Sequence, residues 1–139
     1  MTRYTREGVS LMMKNLSQRY VQYINRVYER SGTLWEGRFR SCLTLSDSYA
    51  LACYRYIELN PVRANMVQHP IEYQWSSYSA NAEGRTNSLV RPHSVYLALG
   101  TDDLARRRRY RALVQSGLNE DTLNRIRYAI NSSIVLGDS

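Results

Sequence analysis

Tyr56, Asn60 and Arg63 stand four and three residues apart in the segment CYRYIELNPVRANMV. Between them they offer the functional groups that phosphoryl transfer uses: a hydroxyl that could act as nucleophile, an amide oxygen that could ligate a hard cation, and a guanidinium that could hold a phosphate. On a continuous helix the spacing puts Tyr56 and Asn60 on one face, with Tyr49 seven residues upstream of Tyr56. A buried tyrosine followed by a capping asparagine produces the same pattern, so the spacing alone leaves both readings open. Other reactive types are sparse. Cys42 and Cys53 form no CxxC motif and have no nearby histidine pair, which argues against a disulfide framework or a cysteine metal site. His69 and His93 precede Pro70 and Pro92 and read as loop residues rather than ligands.

The charge balance points to an anionic partner. Nineteen Lys and Arg against twelve Asp and Glu give +7, and Lys14 is the only lysine. Arginine presents a planar fork of donors that matches phosphates and base edges, whereas lysine is a point charge, so the bias leans modestly toward nucleic acid, with a solvated surface as the equal alternative on charge alone. Twelve tyrosines against one phenylalanine supply stacking faces with hydroxyl handles, although most are expected in the core or at its rim. Arg106 to Arg109 form a run of four. On a helix such a run spreads around the axis, and partial pairing with Asp102 and Asp103 on a solvated face is its simplest reading.

These residues need elements to place them. From about Ser10 to Arg30 the apolar positions Met12, Met13, Leu16, Tyr20, Tyr23, Ile24 and Val27 follow an amphipathic helical period, with Gly32 as a stop. The opposite face carries Lys14, Arg19 and Arg26, a basic stripe able to track phosphates or simply to face water. Residues 33–45 predict a loop and then a strand from about Arg38 to Leu45. Arg38 and Arg40 would share one face of that strand, toward DNA or toward solvent. Ser46 is an expected N-cap, with Asp47 in the first turn, for the helix that carries Tyr56. Pro61 ends or kinks that helix near Asn60 and opens a further short turn. Residues 69–91 read as loop around Tyr73, Trp75 and Tyr78. Helices are expected at about 92–99, 102–116 and 120–131, the second capped by Thr101 or Asp102 and the third preceded by Gly117 and Asn119.

Length and the 43% hydrophobic content support one domain with a real core over residues 1–139. No apolar run reaches the length of a membrane span. Arg3 and Arg6 precede no apolar stretch of the kind a signal peptide carries, so the expected compartment is a reducing cytoplasm.

The stretches SQRYVQYINRVYERSGTLWEGRFRSCLTLSDSYALACYRYIELNPVRANMV and YQWSSYSAN closely resemble the C-terminal half of REP-associated tyrosine transposases, members of the HUH single-tyrosine superfamily. The resemblance covers most of residues 10–100 and is carried above all by TLWEGRF followed by CYRYIELNPVRA; the tail IRYAINSSIVLGD is similar to the family's C-terminal extension more loosely. It implies an α+β fold in which a tyrosine-bearing helix packs on a ferredoxin-like sheet, Tyr56 as nucleophile with Tyr54 as its competitor, and Asn60 as helix-borne ligand for Mg²⁺ or Mn²⁺. It further implies single-stranded DNA hairpins as partner, cut and joined through a 5′-phosphotyrosine link; Arg19, Arg38, Arg40 and Arg63, read from the faces they occupy, are the expected DNA contacts. A free phenol titrates at about 10 and is a poor nucleophile at neutral pH, which is why such a site wants a base or metal beside it. The family's His-hydrophobic-His pair precedes the tyrosine helix, whereas His69 and His93 follow it and are unpaired. The chain therefore reads as a truncated transposase domain over about 10–80, mainly helical and lacking most of its sheet, with a helical extension over about 92–139.

Overall fold

The computed structural model describes residues 8–37 and 39–137. They are mainly helical, and they divide into two compact units that part between residues 40 and 41.

In the first unit the helical period of apolar residues forms α1 (Gly8–Val27), none of whose residues is buried. The helix ends three residues earlier than the apolar period implies. Glu29 takes a positive φ of 49°, and Gly32, at φ 92°, supplies the left-handed backbone expected of the stop. Asn25 ties the turn back on itself by donating from Nδ2 to the Gly32 carbonyl at 2.9 Å. Beyond the turn, the Trp35 ring returns to lie 5.9 Å from that of Tyr20.

The strand expected over 38–45 does not form among the described residues. Arg38 lies outside them. The extended backbone that follows makes one parallel bridge, Thr44 with Leu136. It consists of Leu45 N–H to Leu136 O at 3.0 Å and Leu136 N–H to Leu43 O at 2.8 Å. A strand needs a neighbour to satisfy its ladder, and here the neighbour is only the few residues that follow the last helix.

The second unit is built around α2 (Asp47–Glu58). Ser46 has the extended backbone of an N-cap, but its hydroxyl pairs with Ser48 Oγ at 2.6 Å instead of capping the helix. Both sides of α2 are used. Tyr49, Ala52, Cys53 and Tyr56, spaced as one helical face, join a core with Ile126, Ala129 and Leu136. Leu51 and Tyr54 face the opposite way, into a second core around Tyr78, Tyr96 and Tyr110. The helix continues through a one-residue break at Leu59 into α3 (Asn60–Arg63), with Pro61 at a position where its missing N–H costs nothing. This is the kink expected at Asn60.

Residues 69–91 are not loop throughout. They hold a 3₁₀ turn, Pro70–Glu72, and α4 (Tyr78–Glu83), closed by Gly84 in the left-handed region at φ 72°. The polar composition concealed α4 because its inward face is only Tyr78, Asn81 and Ala82. The three later helices appear where expected, as α5 (Ser94–Leu97), α6 (Asp103–Gln115) and α7 (Glu120–Ser132). Asp102 Oδ1 accepts from Ala105 N–H at 2.8 Å, and Asn119 Oδ1 accepts from Thr122 N–H at 2.8 Å, so both caps are made. Among the described residues no helix is long and apolar enough to cross a membrane.

Candidate functional site

Tyr56 sits on the third turn of α2, half-buried against the core of Tyr49, Ala52, Ile126, Ala129 and Leu136. The helical continuation past Leu59 carries Arg63 back over it. The Arg63 guanidinium carbon lies 4.7 Å from the centre of the Tyr56 ring, within the range of a cation–π contact. Its Nη2 also donates to the Tyr56 carbonyl. Burial lowers the Arg63 pKa, the Tyr56 phenol opposes that effect, and the nearby Arg127 adds to it. Asn60 is exposed at the start of α3. Tyr56, Asn60 and Arg63 are thus brought to one bend, as their spacing implied.

Tyr54 is placed differently. It packs into the second core, where burial raises the pKa of its phenol, an effect offset in part by the His93 backbone and reinforced by Glu58. A raised pKa means less phenolate at any given pH. Tyr54 and Tyr56 therefore face opposite cores of the same helix.

The remaining arginines named from sequence are spread along the chain. Arg19, on α1, and Arg40 are exposed and belong to the first unit. Arg38 lies outside the described residues. The run Arg106–Arg109 is less solvated than its composition implies. Asp103 pairs with both Arg106 and Arg107, but the guanidiniums also bind the open carbonyl ends of neighbouring helices. Arg109 donates to Leu99 O at 2.7 Å, Arg106 to Leu97 O at 3.3 Å and Arg107 to Glu83 O at 3.4 Å. Just beyond the run, Arg111 donates to Ala82 O at 2.7 Å. Arg55 closes the end of α6 in the same way, through Gly117 O at 2.8 Å. Helix C-termini leave carbonyls without partners and carry partial negative charge, which these cations satisfy.

Sequence reasoning missed Glu58. It is fully buried, 0% exposed, two residues from both Tyr56 and Asn60. Its Oε1 accepts from Ser77 Oγ at 2.6 Å and Asn81 Nδ2 at 2.8 Å, and its Oε2 from the Tyr110 hydroxyl at 2.7 Å. Burial pushes the carboxyl pKa up, and the three hydrogen bonds pull the other way. The Tyr110 phenol is in turn driven far above its ordinary range by burial and by Glu58. The available signal was the helical period itself, which sets Leu51, Tyr54 and Glu58 on one inward face.

The described residues do not make a divalent-metal site around Tyr56. Asn60 offers one neutral amide oxygen, and the carboxylate nearest in sequence, Glu58, is turned into the core with both oxygens engaged. No group of three His, Cys, Asp or Glu able to hold a metal occurs among the described residues. Both histidines work as helix caps. His69 Nδ1 accepts from Ile71 N–H at 3.2 Å and His93 Nδ1 from Val95 N–H at 3.3 Å. No protein-family profile, curated protein or solved structure matches the chain.

Proposed function

We propose that this chain is a DNA-handling protein of the single-tyrosine transposase kind, acting in the cytoplasm on single-stranded hairpins, with Tyr56 as the residue that meets a phosphodiester. The observation that carries this reading is the Arg63 guanidinium seated over the Tyr56 ring at the α2–α3 bend. It places a phosphate-binding cation beside a phenol. The resemblance of CYRYIELNPVRA to the family's tyrosine helix supports it, and so does the packing of Tyr54 into the opposite core, which leaves Tyr56 as the tyrosine beside Arg63. On this reading the chain is a ferredoxin-like transposase domain without most of its sheet. Arg19, Arg38 and Arg40 remain expected DNA contacts of the first unit on this reading.

The step is a transesterification. Tyr56 Oη bonds to phosphorus as the P–O3′ bond breaks, the phenolic proton passes to solvent base, and the released 3′ oxygen takes up a proton. The 5′ phosphate remains on the tyrosine, so the phosphodiester energy is kept for rejoining.

A second reading is a protein that binds hairpins without cutting them. It is favoured by the two histidines serving as helix caps and by the single neutral donor at Asn60. One experiment separates the two: the chain, beside its Tyr56→Phe variant, is mixed with a labelled single-stranded hairpin and Mn²⁺, and a denaturant-resistant adduct is sought. An adduct lost in the variant establishes the transposase reading. Retained binding without adduct establishes the second. An adduct that survives Tyr56→Phe and vanishes in Tyr54→Phe overturns the assignment of the nucleophile.

A further inference from the structure

The first unit contains a cleft that the chemistry at Tyr56 does not use. Ser17, Gln18, Val21 and Gln22 of α1 line it together with Thr33 and Trp35 of the returning segment, around a volume of about 300 Å³. That segment is fixed locally. Asn25 donates to the Gly32 carbonyl, Trp35 N–H donates to Thr33 Oγ1 at 3.0 Å, and the Trp35 ring lies 5.9 Å from that of Tyr20. Trp35 nevertheless stays 46% exposed. Gln18 and Gln22 are exposed and one turn apart, and, unlike Asn25, neither amide has a partner among the described residues. The cleft therefore combines aromatic and aliphatic surface, from Trp35 and Val21, with two amides that each offer donors and an acceptor. A flat aromatic ligand with a hydrogen-bonding edge uses all of these; an aliphatic chain leaves the amides idle, and a bare phosphate leaves the indole idle. The charges narrow the class further. Lys14, Gln18, Gln22 and Arg26 follow one another at four-residue steps, a single ridge of α1 that rises about 6 Å per step. An exposed cation thus stands one turn before the amide pair and another one turn after it, and no ion pair among the described residues involves either. A base with a phosphate on each side has the same order of groups.

We propose that this cleft holds one unpaired base of a single-stranded DNA, stacked on Trp35 with its edge on Gln18 and Gln22 and its flanking phosphates on Lys14 and Arg26. Adenine is the preferred base, because an amide matches its N6 donor and N7 acceptor together. The proposal rests on the reading of the chain as a protein of single-stranded DNA, and it gives the first unit a binding role that needs no chemistry at Tyr56. An indole can stack on any unpaired base, so it supplies affinity while the glutamines supply preference.

The test uses the full chain carrying Trp75→Phe, which leaves Trp35 as the only indole. Two probes are titrated in, an oligodeoxyadenylate of about ten nucleotides and an abasic strand of the same length. Binding is followed by anisotropy of a labelled strand and stacking by Trp35 fluorescence. The adenylate strand should quench Trp35 and the abasic strand should not. Trp35→Ala should weaken adenylate binding by about ten- to a hundredfold, and Trp35→Phe, which keeps a stacking face, should fall between. Gln18→Ala and Gln22→Ala should each weaken it by about fivefold, the size of one hydrogen bond, without changing affinity for the abasic strand. Alanine at these exposed helical positions preserves α1, and an unchanged circular dichroism spectrum checks this. Binding that saturates by anisotropy while Trp35 fluorescence stays constant overturns the base site and leaves the DNA reading standing, as does adenylate affinity unaltered in both glutamine variants. Equal quenching by the abasic strand also overturns it. Absence of binding to either strand, and to a single-stranded hairpin, sinks the DNA reading and the base site with it.

Discussion

Replacing Glu58 by glutamine should change how the fold responds to pH while leaving its shape nearly untouched. Glu58 is fully buried and accepts three hydrogen bonds, from Ser77, Asn81 and Tyr110. Its folded pKa is raised above the ordinary value of 4.5, burial being the larger cause. The folded chain therefore binds the Glu58 proton more tightly than the unfolded chain does. The sign follows from linkage: the group's contribution is fully present below about pH 4.5 and is lost as pH rises through the folded value. The limiting slope for one proton is about 1.4 kcal/mol per pH unit. Glutamine cannot titrate. Its amide oxygen can face Ser77 and Asn81, and its nitrogen can face Tyr110, whose hydroxyl can rotate to accept. The exchange should cost about 1 kcal/mol or less in the acid range. Urea unfolding followed by far-ultraviolet circular dichroism, repeated from about pH 4 to pH 8, measures both proteins. The stability of Glu58→Gln relative to the unmodified chain should rise with pH and then level off. Were the variant instead to lose ground as pH rises, or to keep a constant offset, the carboxyl would not have the raised pKa that its burial implies, and the argument would fail.

Tyr110→Phe leaves Glu58 Oε2 without its donor and should cost about 1–3 kcal/mol. It should also move the pH-dependent loss of stability upward, because one hydrogen bond that favours the carboxylate is gone; the same unfolding series reads this. Gly84→Ala puts a Cβ on a residue at φ 72° and within 2.3 Å of the Arg107 guanidinium. The left-handed backbone should cost about 1 kcal/mol in a thermal or urea melt, with the arginine end swinging aside. Asn119→Ala removes the α7 cap and should cost about 1 kcal/mol in the same assay. Burial raises the pKa of both Cys42 and Cys53, so iodoacetamide at mildly alkaline pH should alkylate them more slowly than a free thiol, and rates equal to those of a model thiol would contradict the packing.

The helices were legible where the chain states them locally. The apolar period over about 10–30, the Asn60–Pro61 junction and the polar residues Asp102 and Asn119 ahead of the later helices are decided by residues within one turn of each other, and the structure has a helix over 8–27, the kink and both caps. The strand over 38–45 failed because a strand is a statement about a partner, and the sequence of 41–45 does not say that its neighbour is the short segment at Leu136. Helix α4 was hidden for a related reason. Its stability comes from Tyr78 and Ala82 in a core shared with α5 and α6, not from a local period that composition could reveal. The bend that gathers Tyr56, Asn60 and Arg63 could be read from Pro61.

Arginine-rich composition pointed to an anionic partner, and the structure commits part of that charge to the fold itself. Arg55, Arg106, Arg107, Arg109 and Arg111 bind the carbonyl ends of helices. A guanidinium held there is part of the fold, and turning it toward a phosphate would reopen the carbonyl it satisfies. The densest run of charge in the sequence is therefore a poor guide to where an anion would bind. Arg63 is the instructive exception: it too binds a carbonyl, yet its guanidinium lies over the Tyr56 ring. A basic sequence identifies a partner class only after the cations committed to helix ends are set aside. At the α2–α3 bend, what is left is Arg63 over the Tyr56 ring.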